Sequence, residues 1–121
     1  MTITEKNSEI ANKWFAAFNE HHLENLLSLY SETAEHKSPK LKIRQPETLG
    51  LVKGKSTLRN WWNDSFTRIP SLKYIPLNIL ANDKMVMMEY LRKADGDEDM
   101  LVSEILEIEN GLIVRSRVFH G

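Results

Sequence analysis

Through most of the first half of the chain the apolar positions recur at three- and four-residue spacing. In the second half they alternate, in runs separated by turn residues. Ile10, Ala11, Trp14, Phe15 and Phe18 make one stripe, which predicts a helix over roughly residues 8 to 20 with Asn7 or Ser8 as its cap. Leu23, Leu26, Leu27 and Tyr30 predict a second helix directly after it. Leu58, Trp61, Trp62, Ser65, Phe66 and Ile69 predict a third, capped by Ser56 and stopped by Pro70. Alternation then predicts strands over 73–81, 85–93, 100–108 and 112–120, with turns at Asn82-Asp83, Asp95-Gly96-Asp97 and Asn110-Gly111. Pro76 cannot donate to a ladder, so its strand lies at an edge or carries a bulge. Residues 39–53, with Pro39, Pro46 and Gly50, read as one long connection.

The stretch from Leu29 to Pro39 is the most informative. It ends the second helix on the Tyr30 ring, turns once and starts a short strand. Ala34, His36 and Ser38 share one face of that strand, while Glu35 and Lys37 share the other. Polar side chains aimed inward beside a Tyr are the beginnings of a pocket.

The last hairpin has two candidate registers. A two-residue loop pairs Glu109 with Leu112 and mixes Arg115 and Arg117 into the apolar row. A three-residue loop pairs Ile108 with Leu112 and keeps an apolar face of even-numbered residues, so patterning selects it. That register sets Glu104 opposite Ser116 and Met100 opposite His120. It leaves Leu101, Ser103, Ile105, Ile113, Arg115, Arg117 and Phe119 outward, a face apolar enough to predict a homodimer interface.

Composition narrows the chemistry. A chain of 121 residues that is 41% hydrophobic predicts a single domain, 1–121, with a true core. The absence of Cys excludes disulfides, thiolate zinc sites and Cys nucleophiles. No apolar run is long enough to span a membrane and the N-terminus has no signal-like core, so a cytoplasmic location is expected, with no membrane partner. A net charge of -1 argues against a nucleic-acid partner. The charge is nonetheless segregated. Residues 37–55 carry Lys37, Lys40, Lys42, Arg44, Lys53 and Lys55 against Glu47 alone, while residues 95–109 are acidic without a base. These runs are either solvated edges or, for the basic one, a pocket rim that draws in an anion.

Glu104 is the leading chemical candidate, because it is the one ionisable group among the apolar residues of its strand face and burial raises a carboxyl's pKa. His36 is the candidate base, and Tyr30 a donor beside it. Trp14, Trp62 and Tyr90 are candidate walls for a flat ligand, with Ser38, Ser116 and His120 as polar ligand contacts. Each has a plain structural alternative as a satisfied core or terminal residue. His21 and His22 read as surface or capping residues. No metal site or cofactor is expected, and Lys53-Gly54-Lys55-Ser56 lacks the first Gly of a phosphate loop.

Trp14 to Asn19, Leu26 to Ala34, His36 to Pro39, Gly54 to Trp61, and Glu104 with Asn110 to Ile113 together resemble the nuclear-transport-factor-2-like superfamily, in its small SnoaL-like branch. The resemblance covers nearly the whole chain. It implies an α+β, cystatin-like cone: three N-terminal helices packed on a curved, mostly antiparallel sheet that encloses a pocket, in many relatives as a homodimer. Relatives that isomerise steroids carry a Tyr at Trp14 and a catalytic Asp at Ser38, so that mechanism does not transfer. The resemblance also implies that an acid near Glu104 is common in these pockets, and that related cyclases and dehydratases use pocket His and Asp residues. Three functions stay open: a binder of a small, partly apolar molecule, anionic if the basic rim is real; an acid-base isomerase, cyclase or dehydratase acting on a carbonyl compound; and a dimeric interaction module with no ligand.

Overall fold

The computed structural model describes residues 1–121. Helix α1 spans Ile3–Asn19 and α2 Leu23–Leu27. Strand β1 covers Tyr30–Lys37, α3 Pro39–Arg44, β2 Leu51–Lys53 and α4 Lys55–Arg68. Strands β3 Lys73–Ala81, β4 Met85–Lys93, β5 Met100–Glu109 and β6 Leu112–His120 complete the chain. Four helices thus pack on a six-stranded mixed sheet of order β2-β1-β6-β5-β4-β3. Only the β1–β6 pair is parallel. No helix is long and apolar enough to cross a membrane.

Several expected boundaries move, each for a local reason. Helix α1 begins five residues before the expected start, because Thr2 and Glu5 form a capping box ahead of the apolar stripe. Asn7, expected as the cap, is instead buried and donates through Nδ2 to the Asn82 carbonyl at 3.0 Å, pinning the helix to the β3–β4 turn. Helix α2 stops at Leu27, and Tyr30 is already the first residue of β1. Helix α4 starts after Gly54 at φ 90°, which only glycine adopts readily, so Ser56 lies inside the helix and is not its cap. The long connection is built rather than bare: it holds α3, a 3-10 turn at Pro46–Thr48 and the edge strand β2. Those elements are too short for periodicity to reveal. Pro76 sits on the edge strand β3, next to a register shift between Pro76 and Asn78, as its missing N–H requires.

The β5–β6 hairpin corrects the chosen register. Its loop is the two-residue one: Glu109 pairs with Leu112, and Asn110 and Gly111 both have positive φ. The apolar face survives because β6 carries a bulge at Val114, between Ile113 opposite Ile108 and Arg115 opposite Glu107. Beyond it, even residues again face even residues. Glu104 lies opposite Val118 and not Ser116; His120 lies opposite Val102 and not Met100. Ile113, expected outward, is fully buried, and Leu112 is exposed in its place.

Candidate functional site

The even residues of β4 and β5 point toward the helices, and the registers stack them in rows with β6 and β1. Val86, Leu106, Ser116 and His36 make the first row. Met88, Glu104 and Val118 make the second; Tyr90, Val102 and His120 the third; Arg92 and Met100 the fourth. Each row carries at least one polar side chain, and the last carries a permanent charge, Arg92. Above them lies a cavity of about 270 Å³, closed by Trp14 and Phe18 of α1 and by Trp61 and Trp62 of α4. The first row lies beneath it and contributes only His36. Arg92 of the fourth row, with Lys40, Arg44, Arg68 and Asp97, forms its mouth.

The deep end is polar but uncharged. Glu104 is 2% exposed, and burial raises its carboxyl to about 8. The Tyr90 hydroxyl donates to Glu104 Oε1 at 2.7 Å, which lowers that value without cancelling the burial effect. Oε2 is buried and has no partner. At neutral pH Glu104 is therefore a carboxylic acid with one free hydrogen-bonding oxygen. His36 is 3% exposed, and burial pushes its imidazole down to about 4. Its Nδ1 lies 2.6 Å from Ser116 Oγ, which leaves Nε2 for the cavity that the ring lines. The Tyr30, Tyr74 and Tyr90 phenols are all raised, first by burial and then by the neighbouring Glu104 carboxyl, so they stay protonated.

The aromatic groups fix these positions. Trp14 Nε1 donates to the Tyr30 hydroxyl at 3.0 Å. The Trp62 ring lies 5.0 Å from Tyr30 and 5.4 Å from His36, between centroids. Tyr74 stacks on Phe18 at 3.9 Å and on Tyr90 at 4.2 Å. The result is an aromatic wall with its few polar atoms already oriented.

Of the residues singled out from sequence, His36, Glu104, Trp14, Ser38, Trp62, Tyr90 and His120 line one cavity. Tyr30 and Ser116 stand behind it, holding Trp14 and His36 in place. His22 caps α2 as expected, accepting from the Asn25 N–H, whereas His21 packs on Phe66 and bonds the Leu72 carbonyl. The basic run divides. Lys40 and Arg44 reach the mouth, but Lys53 pairs with Glu35 and Lys55 with Glu32 on the surface. Much of the acidic run is taken up locally, by Arg92, Lys93, Arg115 and Arg117. Sequence reasoning missed Tyr74, Arg68, Arg92 and Asp97. The signal for Arg92 was its place in the inward series Val86, Met88, Tyr90, Arg92, Ala94; that for Arg68 was its spacing from Trp61 and Ser65 on one face of α4.

Helices over one face of an open mixed sheet, with a cavity between them lined by rings and a few neutralised polar groups, define a nuclear-transport-factor-2-like fold with the α+β cone of that class. The chain belongs to the SnoaL-like domain family, which it matches over residues 11–116. It is similar to a SnoaL-like protein of unknown function from Burkholderia thailandensis, with 24% identity over 97% of this chain and 95% of that one and a TM-score of 0.87. It is also similar to a protein from Kribbella flavida assigned provisionally as a ketosteroid isomerase, with 21% identity over 100% and 82% of the two chains and a TM-score of 0.82. A third similar structure is TerC co-crystallised with polyporic acid, at 15% identity over 96% and 92% of the chains and a TM-score of 0.82. No curated protein matches the sequence.

Proposed function

We propose that this protein binds one small, flat, partly apolar molecule in the cavity beneath α1 and α4. The observation that carries this reading is the free Glu104 Oε2, a buried polar atom without a protein partner in a cavity-lining residue. Buried polar groups are nearly always hydrogen-bonded, and a ligand carbonyl accepting from the Glu104 acid would satisfy this one. Eleven of the 21 lining residues are hydrophobic, so a ligand that fits is itself part apolar and part polar. A structural neighbour that holds polyporic acid supports the same reading. The test is titration with 2-naphthamide, a flat neutral carbonyl compound, followed by tryptophan fluorescence and thermal shift. Saturable quenching with a raised Tm is expected; neither effect at millimolar probe would overturn the reading.

One observation favours a second reading, acid-base catalysis on a carbonyl compound. At neutral pH the same cavity holds an unprotonated imidazole, His36, and a protonated carboxyl, Glu104. Groups whose environments push their pKa values apart in this way are suited to the roles of base and acid. His36 would take a proton next to the carbonyl while Glu104 donates to its oxygen. Deuterium uptake at the α-carbon of 2-tetralone, followed by NMR, tests this. Uptake no faster than in buffer, or unchanged in His36→Gln, would overturn it.

The proposed assembly is a homodimer through the outer sheet face. Leu80, Met87, Leu101 and Phe119 are exposed there, and Leu80, Met87 and Ile105 are adjacent across three strands. Contiguous exposed apolar side chains on a sheet face are what an interface would cover. Light scattering should give twice the protomer mass, and Leu101→Arg should return it to one.

A further inference from the structure

The mouth of the cavity is built differently from its depth. Arg92 points inward from β4 and is 5% exposed, yet it carries a permanent charge. A guanidinium offers five donors. Asp97, from the turn between β4 and β5, takes one of them at 3.1 Å, and its own side chain is 54% exposed. The remaining Arg92 donors are not sealed from the cavity that the residue lines. Lys40 and Arg44 from α3 and Arg68 from α4 line the same opening. Arg44 and Arg68 share Asp64, at 3.8 and 2.8 Å. Four cations thus meet two carboxylates, leaving positive charge in excess.

We propose that this mouth is an anion-recognition subsite, in which Arg92 and Lys40 hold a carboxylate on the ligand and Asp97 is the resident counter-ion that the ligand displaces. The inference rests on the ligand-binding reading above and narrows it: the ligand has a flat, apolar body and one anionic end. The body lies against Trp14, Trp62 and Tyr90, and the anionic end remains at the opening.

Three observations converge on it. First, a buried Arg needs an anion beside it, and the one it has is half in water, on a turn with open space beside it: a Cβ added at Gly96, at φ 85°, would meet nothing within 4 Å. Second, the cations repel one another. Burial, followed by the charges of Arg92 and Arg68, holds Lys40 below its ordinary range while Asp97 opposes the shift. His120, in the next row, is lowered by burial and by Lys40 and Arg92. An arriving anion relieves that repulsion. Third, a planar guanidinium matches a carboxylate bidentately, and Asp97 engages it through a single contact.

The test compares 2-naphthoate with 2-naphthamide, which share a ring system and differ in charge. Wild type should bind the naphthoate at least about tenfold tighter, the scale of one charge-assisted hydrogen bond. Arg92→Gln should abolish that preference. Should Arg92→Gln fail to fold, two surface-reaching variants carry the test. Asp97→Asn should widen the preference by removing the competitor, and Lys40→Gln should narrow it. Equal affinity for the two probes in wild type, or a preference unmoved by Asp97→Asn, would overturn the subsite while leaving the pocket reading intact. Binding of neither probe would overturn both.

Discussion

The two ends of the cavity meet the same electrostatic difficulty and resolve it in opposite ways. At depth, Glu104 and His36 are taken out of water and give up their charges: the acid keeps its proton to about pH 8 and the imidazole stays neutral down to about 4. At the mouth, Arg92 is nearly as buried but cannot release its proton, so the chain supplies a counter-ion from a turn that water reaches. The difference teaches what each end can recognise. Neutral donors in a dry aromatic setting select a ligand by hydrogen bonding and shape. A cation at a wet opening selects by charge and leaves shape to the rest of the cavity. About 13 Å of sheet separates Glu104 from Arg92, since Glu104 lies opposite Met88, four residues from Arg92 along β4.

The largest expected effect comes from breaking the dry end. Trp14 is 1% exposed, lies edge-on to Phe15 at 5.2 Å and against Phe18 at 5.3 Å, and bonds Tyr30. Trp14→Ala should lose about 3–5 kcal/mol of stability, as truncation of a buried aromatic does. Urea denaturation checks it. A loss of less than about 1 kcal/mol would mean that the deep end is loose and that its pKa shifts have another origin.

The pH dependence separates the two deep groups. An unfolded Glu loses its proton near 4.5, but folded Glu104 keeps it to about 8, so stability falls as pH rises through that interval. An unfolded His gains a proton near 6.5, but folded His36 resists it to about 4, so stability falls as pH drops through that one. Between 4.5 and 6.5 the two slopes oppose each other. From 6.5 to 8 only Glu104 contributes, at roughly 1.4 kcal/mol per pH unit or about 2 kcal/mol in all. Glu104→Gln should abolish that alkaline loss and be the more stable protein at pH 8. Denaturation of both proteins at pH 6.5 and pH 8 decides, and parallel behaviour would place Glu104 among ordinary solvated carboxylates.

Tyr90→Phe sharpens the same point at smaller scale. The phenol supplies the one hydrogen bond that Glu104 receives, and that bond lowers the carboxyl's pKa. Its removal should cost about 1–2 kcal/mol at pH 6 and move the alkaline loss to higher pH. A carbonyl-stretch infrared titration of the protonated acid would follow the shift directly. Movement to lower pH would contradict the assigned donor.

The sequence carried the deep end better than the mouth, for a physical reason. Inward alternation at Ala34 and His36, continued by Ser38 at the cap of α3, and the isolation of Glu104 in an apolar row, are period-two signals visible along the chain. The Tyr90–Glu104 bond joins diagonal neighbours on β4 and β5, which requires a cross-strand register. That of the last hairpin eluded patterning because a bulge in β6 restores the same parity as a longer loop. The mouth draws Lys40 from α3, Arg68 from α4, and Arg92 and Asp97 from β4 and its turn. Charged residues at the ends of elements read as solvent-facing by default, and only the packing of three elements turns them toward one opening.

The smallest effect belongs to Asp97. If the mouth is an open, wet site, Asp97→Asn should change stability by less than about 1 kcal/mol, the usual scale for an ion pair that water reaches. The amide oxygen that this substitution introduces, half in water like the carboxylate it replaces, could still accept from Arg92. The excess positive charge at the opening would be screened by dissolved anions. Denaturation in low and high salt is the measurement, and the small loss should shrink further as salt rises. A loss above about 2 kcal/mol that salt leaves untouched would show a dry, closed ion pair. The mouth would then obey the same rule as the depth, and the contrast between the two ends of the cavity would disappear.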